Sequence, residues 1–344
     1  MKFVHIGDVH FDAPFRVISD RSGLGEERRL EQRKAFKSAI EYAKDNKVDC
    51  VFISGDLYEQ EYIRKSTIDY INNLFESIKD ILVYIVPGNH DPYINNSFYK
   101  NYDWSSNVKL FTNNVEKVEN DTYNVYGYGF NSYEMTENKL NEIDIDKSKT
   151  NILLTHGNVS DGVDKNNIYN PIVKKELLSK GFDYIAIGHI HKRDDIYPGS
   201  LISLGFDEPG EHGFIYGEIN DKNLIKRFVK ADDREFVLED LDVSNIISNE
   251  ELIEKINDIN TQNNLYRITL VGTRNFEINI DMKLIQSNVI KIKNETKLKI
   301  DVQENNTTLK GIFVKNLNEK LANGVISQEE YDEVLELGIK VLEK

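Results

Sequence analysis

KFVHIGDVH at Lys2–His10 and DCVFISGDLYE at Asp49–Glu59 share one pattern: a short β-rich apolar run, a glycine, then acidic and imidazole side chains. ILVYIVPGNHD at Ile81–Asp91, NILLTHG at Asn151–Gly157 and YIAIGHIH at Tyr184–His191 repeat it. With YNVYGYGF and GFIYGEI these are the strand candidates, and amphipathic stretches separate the first of them. Leu30, Phe36, Ala39, Ile40 and Ala43 fall on one helical face. Ile68, Ile71, Phe75 and Ile78 do the same on a second helix with Ser66 as its N-cap, and each face is expected to cover a sheet or meet another subunit. This alternation predicts a layered α/β domain.

In such a sheet, ligands gather at the carboxyl ends of strands, where loops bring together side chains from distant parts of the chain. Five motifs stand there in order: Asp8 and His10 (GDVH), Asp56 (GDLYE), Asn89, His90 and Asp91 (GNHD), His156 (THG), and His189 and His191 (GHIH). Five of the seven histidines lie in them. Imidazole, carboxylate and amide oxygen together suit manganese or iron, whereas an all-oxygen set would suit magnesium or calcium. Glycine is expected to let the backbone turn off each strand, and the DxH spacing to put Asp8 and His10 on one side of an extended segment. His5, in mid-strand, reads as a core histidine, and His212 as a loop residue.

Composition bounds the rest. With 40% hydrophobic and 29% charged residues the chain is globular, and 344 residues exceed what a single core usually serves. The boundaries read as a catalytic domain at 1–230, a small αβ domain at 231–305 containing a helix at Asn249–Asn257 and the strand-like YRITLVG and KLKIDV, and a helical hairpin at 306–344 turning at Asn323 and Gly324. One cysteine, Cys50, in an apolar run, fits a reducing compartment. No secretory signal or membrane-length apolar run is read, so a cytoplasmic protein with no membrane partner is expected. The net charge of −15 opposes nucleic-acid binding, which draws on Lys and Arg. Any DNA-binding surface is therefore expected to be local, with Arg16, Lys192 and Arg193 as candidates. Arg28 to Lys34 reads as solvated helix surface. Tyr93, Phe98, Tyr99, Tyr102 and Trp104 read either as a base-stacking loop or as a local hydrophobic plug.

The ordered motifs resemble the calcineurin-like metallophosphoesterase superfamily. YPGS at Tyr197–Ser200 and GFDEPGEHGF at Gly205–Phe214 narrow the resemblance to SbcD-type DNA repair nucleases. It implies a sandwich of two β-sheets flanked by helices, with a small α+β capping domain and the C-terminal hairpin. It also implies two divalent metals, manganese foremost with iron or magnesium as alternatives. Asp8, His10, Asp56 and His191 would hold one, and Asp56, Asn89, His156 and His189 the other, with Asp56 bridging. Such a pair activates water for attack on phosphorus. His90 would protonate the leaving oxygen, and Asp91 would fix its tautomer by hydrogen bonding. The activity implied is 3′ to 5′ exonuclease and single-strand endonuclease action on DNA. The partners implied are an SMC-like coiled-coil ATPase of SbcC type, docked on the hairpin, and a second copy of the chain, met through Ile68 to Ile78.

The sequence departs from those nucleases at Glu59, where relatives often carry histidine. An extra carboxylate there is expected to weaken DNA engagement. Two other readings stay open: a phosphatase or cyclic-nucleotide phosphodiesterase acting on a small substrate, and a subunit that grips DNA ends or the ATPase and rarely cuts.

Overall fold

The computed structural model describes residues 1–19, 21, 23–164, 166–259, 263–299 and 307–342. They form two compact units, Met1–Phe236 and Val237–Lys344. The first contains β1 (Lys2–Ile6), α1 (Leu24–Asp45), β2 (Cys50–Ser54), α2 (Lys65–Glu76), β3 (Leu82–Val86), α3 (Phe98–Asn101), β4 (Val108–Leu110), β5 (Glu116–Glu119), β6 (Tyr123–Gly127) and β7 (Thr150–His156). It continues with β8 (Val159–Ser160), β9 (Ile172–Val173), α4 (Lys174–Ser179), β10 (Tyr184–Gly188), β11 (Gly213–Asn220) and β12 (Asn223–Lys230). All seven strand candidates are strands.

Two sheets make the sandwich. One has the order β12-β11-β1-β2-β3-β4 and the other β10-β7-β6-β5. Strands β1 to β4 are mutually parallel, as are β10, β7 and β6. Side chains alternate across each strand, so Phe3, Phe52 and Tyr84 of one sheet meet Val125, Ile152, Leu154 and Ala186 of the other in a shared core. Strands β1, β2, β3, β7 and β10 each end on one of the five motifs.

The helices correct three expectations. Ile68, Ile71, Phe75 and Ile78 of the α2 segment are all buried within the unit, so that face is not open to a second copy. Phe36 of α1 packs edge-on against Phe75. Helix α2 begins at Lys65 after Arg64, with no side-chain cap, so Ser66 lies inside it. On α1, Leu30 is 56% exposed, whereas Arg28 is fully buried. Arg28 donates to both Asp232 oxygens, to Glu31 Oε2 at 2.8 Å and to the Ser203 carbonyl at 2.9 Å. A buried guanidinium with acidic partners can sit on a helical face that an apolar count assigns to leucine.

The second unit contains β13 (Phe236–Asp242), α5 (Asn249–Asn257), β14 (Leu265–Val271), β15 (Thr273–Arg274), β16 (Val289–Asn294), β17 (Lys297–Leu298), α6 (Leu309–Ala322) and α7 (Gln328–Leu342). Leu252 and Ile256 of α5 pack with Ile268 and Leu270 of β14. Of KLKIDV, Ile300 to Val302 lie outside the described residues, as does the expected 305/306 boundary. Among the described residues no helix is long and apolar enough to cross a membrane.

Candidate metal centre

Several motifs leave their strands through an unusual backbone. Asp8, His10, Asp56 and His189 have φ of 50°, 53°, 49° and 119°, in the left-handed region that non-glycine residues rarely adopt. Such conformations persist where surrounding structure enforces them, often at functional sites. Asp8 and His10 therefore share a site through left-handed turns rather than through an extended DxH segment. The glycines also serve close approach. A Cβ on Gly88 would lie 2.1 Å from Asp56 Oδ1, and one on Gly55 would lie 2.4 Å from His156 Nδ1.

Donor atoms converge in two main groups. Asp8, His10 and His191 form one, and Asp56, His156 and His189 the other, each with its ligand atoms within 4.8 Å of one another. His10, Asp56 and His90 form a third group by the same measure. Asn89 Oδ1 lies 3.0 Å from His156 Nε2 and 3.2 Å from His189 Nδ1. The structure thus brings together all seven residues expected to hold metal.

Tautomers follow from the partners. His10 Nδ1 donates to Glu59 Oε1 at 2.8 Å, His191 Nδ1 to Glu208 Oε1 at 2.5 Å, and His156 Nδ1 to the Ser54 carbonyl at 2.8 Å. With the proton on Nδ1, the neutral ring has only a lone pair on Nε2. Yet His10 Nε2 and His191 Nε2 are 3.0 Å apart, and His156 Nε2 lies 3.3 Å from Asp56 Oδ2. Lone pairs facing one another in a buried site require a proton or a cation between them. The donor set, mixed nitrogen and oxygen around two buried carboxylates, fits divalent metal.

Protonation reflects the same crowding. Burial opposes charge on His156, but Asp56 and Asp8 push it up to about 9. Burial likewise opposes charge on His191, while Glu208 and Asp8 raise it to about 9. His189, desolvated and beside His156, is lowered to about 3. His90, despite partial burial, is raised to about 9 by its hydrogen bond to Glu59 and by Asp56.

The expected His90–Asp91 bond is not the one formed. His90 Nδ1 donates to Glu59 Oε2 at 3.0 Å. Asp91, fully buried, instead accepts from the backbone N–H groups of Gly88 (2.6 Å), Leu57 (2.6 Å), Asp56 (3.1 Å) and Tyr58 (3.4 Å), and from Tyr99 Oη (2.6 Å). It holds the turn carrying Asp56, and its burial beneath that turn directs it away from the imidazole. Glu59, expected to face a polyanion, faces two histidines.

Around the site, Arg16 lines a cavity of about 440 Å³ with Glu59, Glu61, Asn89, His90 and Tyr169. Lys192 and Arg193 are exposed, and the Arg193 guanidinium lies 3.9 Å from the Phe228 ring centre. Of the aromatics after GNHD, Phe98, Tyr99, Tyr102 and Trp104 form a plug, in which Trp104 packs against Phe75, Tyr99 and Tyr102 and Phe98 against Tyr102. His5 is a core histidine, bonded to Tyr184 Oη and Ser54 Oγ at 2.9 Å each. His212 lies in a loop but is buried, with Nε2 2.9 Å from the Glu208 carbonyl. Sequence reasoning misses Glu208, although it stands within the GFDEP stretch.

A family model for calcineurin-like phosphoesterases matches residues 1–193. A Bacillus subtilis (strain 168) protein named uncharacterized metallophosphoesterase YhaO is 26% identical over 251 residues, 68% of this chain and 61% of its own length. A Staphylococcus saprophyticus protein named as a subunit of nuclease SbcCD is 24% identical over 266 residues, 67% of this chain and 68% of its own. The match to the Bacillus protein thus spans about three fifths of that relative. The crystal structure of TT1561 of Thermus thermophilus aligns at 12% identity and a TM-score of 0.38, over 66% of this chain and 98% of that one.

Proposed function

Because the chain belongs to the calcineurin-like phosphoesterase family, we propose that it is a metal-dependent phosphodiesterase whose substrate is DNA. The observation that carries this reading is the convergence of ring nitrogens and carboxylate oxygens, His10 Nε2 with His191 Nε2 at 3.0 Å and His156 Nε2 with Asp56 Oδ2 at 3.3 Å. Asp8, His10, Asp56 and His191 would hold one divalent cation, and Asp56, Asn89, His156 and His189 the second, manganese suiting the donors. When bound, such a pair activates water and neutralises charge on the phosphoryl oxygens. The protein's own part is to hold the acceptors and a proton. His90, 45% exposed at its side chain, held at Nδ1 and lining the cavity, would serve as the donor for the leaving oxygen.

Similarity to a protein named as part of a nuclease supports DNA as the substrate class, and Arg16 at the cavity suits a phosphate. A small diester is the second reading, favoured by Glu61 in the same cavity and by the net charge of −15. Turnover of linear DNA compared with bis(p-nitrophenyl) phosphate, each with manganese, separates the two. We expect cleavage of DNA, its loss in His90→Asn, and retained DNA binding in that variant. Absence of manganese-dependent cleavage of either substrate overturns the phosphodiesterase reading.

The hairpin is proposed as the dock for a coiled-coil ATPase of SbcC type. Leu309, Val334, Leu337 and Val341 are 75%, 42%, 57% and 71% exposed on it, which leaves apolar surface for a partner.

A further inference from the structure

We propose that Glu59 is a positioning residue that fixes a metal-holding histidine and the proton-donating histidine on one carboxylate, an inference that rests on the phosphodiesterase reading. Its two oxygens are divided between the rings: Oε1 accepts from His10 Nδ1 at 2.8 Å, and Oε2 accepts from His90 Nδ1 at 3.0 Å. An ionised carboxylate only accepts, so both rings carry a proton on Nδ1. For His10 this turns Nε2 toward His191 Nε2 at 3.0 Å and Asp56 Oδ2 at 3.7 Å, the side where a cation would sit. The two rings stand edge to face, 4.8 Å apart at 81°.

The backbone that carries Glu59 is held from both sides. Glu59 N donates to the Phe11 carbonyl at 3.0 Å, Phe11 N to the Leu57 carbonyl at 3.0 Å, and His10 N to the Asp56 carbonyl at 2.9 Å. Gln60 N donates to the His90 carbonyl at 3.0 Å. The segments carrying His10, Glu59 and His90 are thereby tied together next to the carboxylate they share. Partners of this kind orient ligating imidazoles and raise their basicity, and losing one typically costs about 10- to 100-fold in metal affinity or activity.

The test uses the full chain. Glu59→Gln keeps the shape of the side chain, but its NH2 cannot accept from an imidazole N–H, so at most one of the two rings keeps its bond. Manganese affinity by calorimetry is expected to fall about 10- to 100-fold, with kcat on bis(p-nitrophenyl) phosphate lowered more than KM is raised. In a His90→Asn background, where only the His10 contact remains, the same change is still expected to weaken manganese binding. Imidazole nitrogen shifts in the wild-type protein supply a measurement that needs no variant, and should place protons on Nδ1 of His10 and His90. Wild-type manganese affinity in Glu59→Gln, or a His10 Nδ1 that carries no proton, overturns the proposal. Failure of the wild-type protein to hydrolyse any phosphodiester would instead sink the reading beneath it, while manganese affinity and nitrogen shifts would still report on Glu59.

Discussion

At the residue scale, the site is a set of proton-binding nitrogens that a cation would replace. His156 and His191 are raised to about 9 from an ordinary 6.5, so without metal their protonation stabilises the fold fully below about pH 6.5, and this is lost as pH rises through about 9. His5 and His189, lowered to about 3, act in the opposite sense: below about pH 6.5 the unfolded chain takes up protons that these buried rings refuse. The EDTA-treated protein should therefore be most stable near pH 6.5, with Tm falling on both sides. Manganese at about pH 8.5 should restore Tm, and its binding should weaken as the pH is lowered because it must displace the imidazole protons. A metal-free Tm that climbs from about pH 7 to about 9 would contradict this assignment.

At the element scale, the turn after β2 is held by one buried carboxylate. Asp91 accepts four backbone N–H groups and the Tyr99 hydroxyl. Asp91→Asn turns an amide NH2 toward donors, leaving buried groups unsatisfied, and should cost about 2–3 kcal/mol in urea unfolding. It should also weaken manganese binding, since Asp56 rides on that turn. A destabilised variant with unchanged affinity would show that the turn does not position Asp56. The β-strands were legible because each apolar run is local and ends on its motif. The role of Asp91 was not, because its donors at Asp56, Leu57 and Tyr58 lie more than thirty residues earlier in the chain.

At the scale of the whole molecule, the first unit is closed by a buried ion pair between α1 and the segment after β12. Arg28 and Asp232, 204 residues apart, are 0% and 2% exposed. Arg28→Ala would strand a buried carboxylate, and a loss of about 3–5 kcal/mol in denaturant unfolding is expected; a change under about 1 kcal/mol would show that water reaches Asp232. The sequence by itself determined the layered α/β class and the residue types of the candidate metal centre, because strands and their terminal motifs are written in contiguous residues. Only the tertiary structure decided which carboxylate orients which imidazole: Glu59 with His10 and His90, Glu208 with His191, and Asp91 with backbone. It also decided that the α2 stripe is core and that Arg28 is buried. Those outcomes depend on distances between segments far apart in the chain, and hydrophobic periodicity carries no record of them.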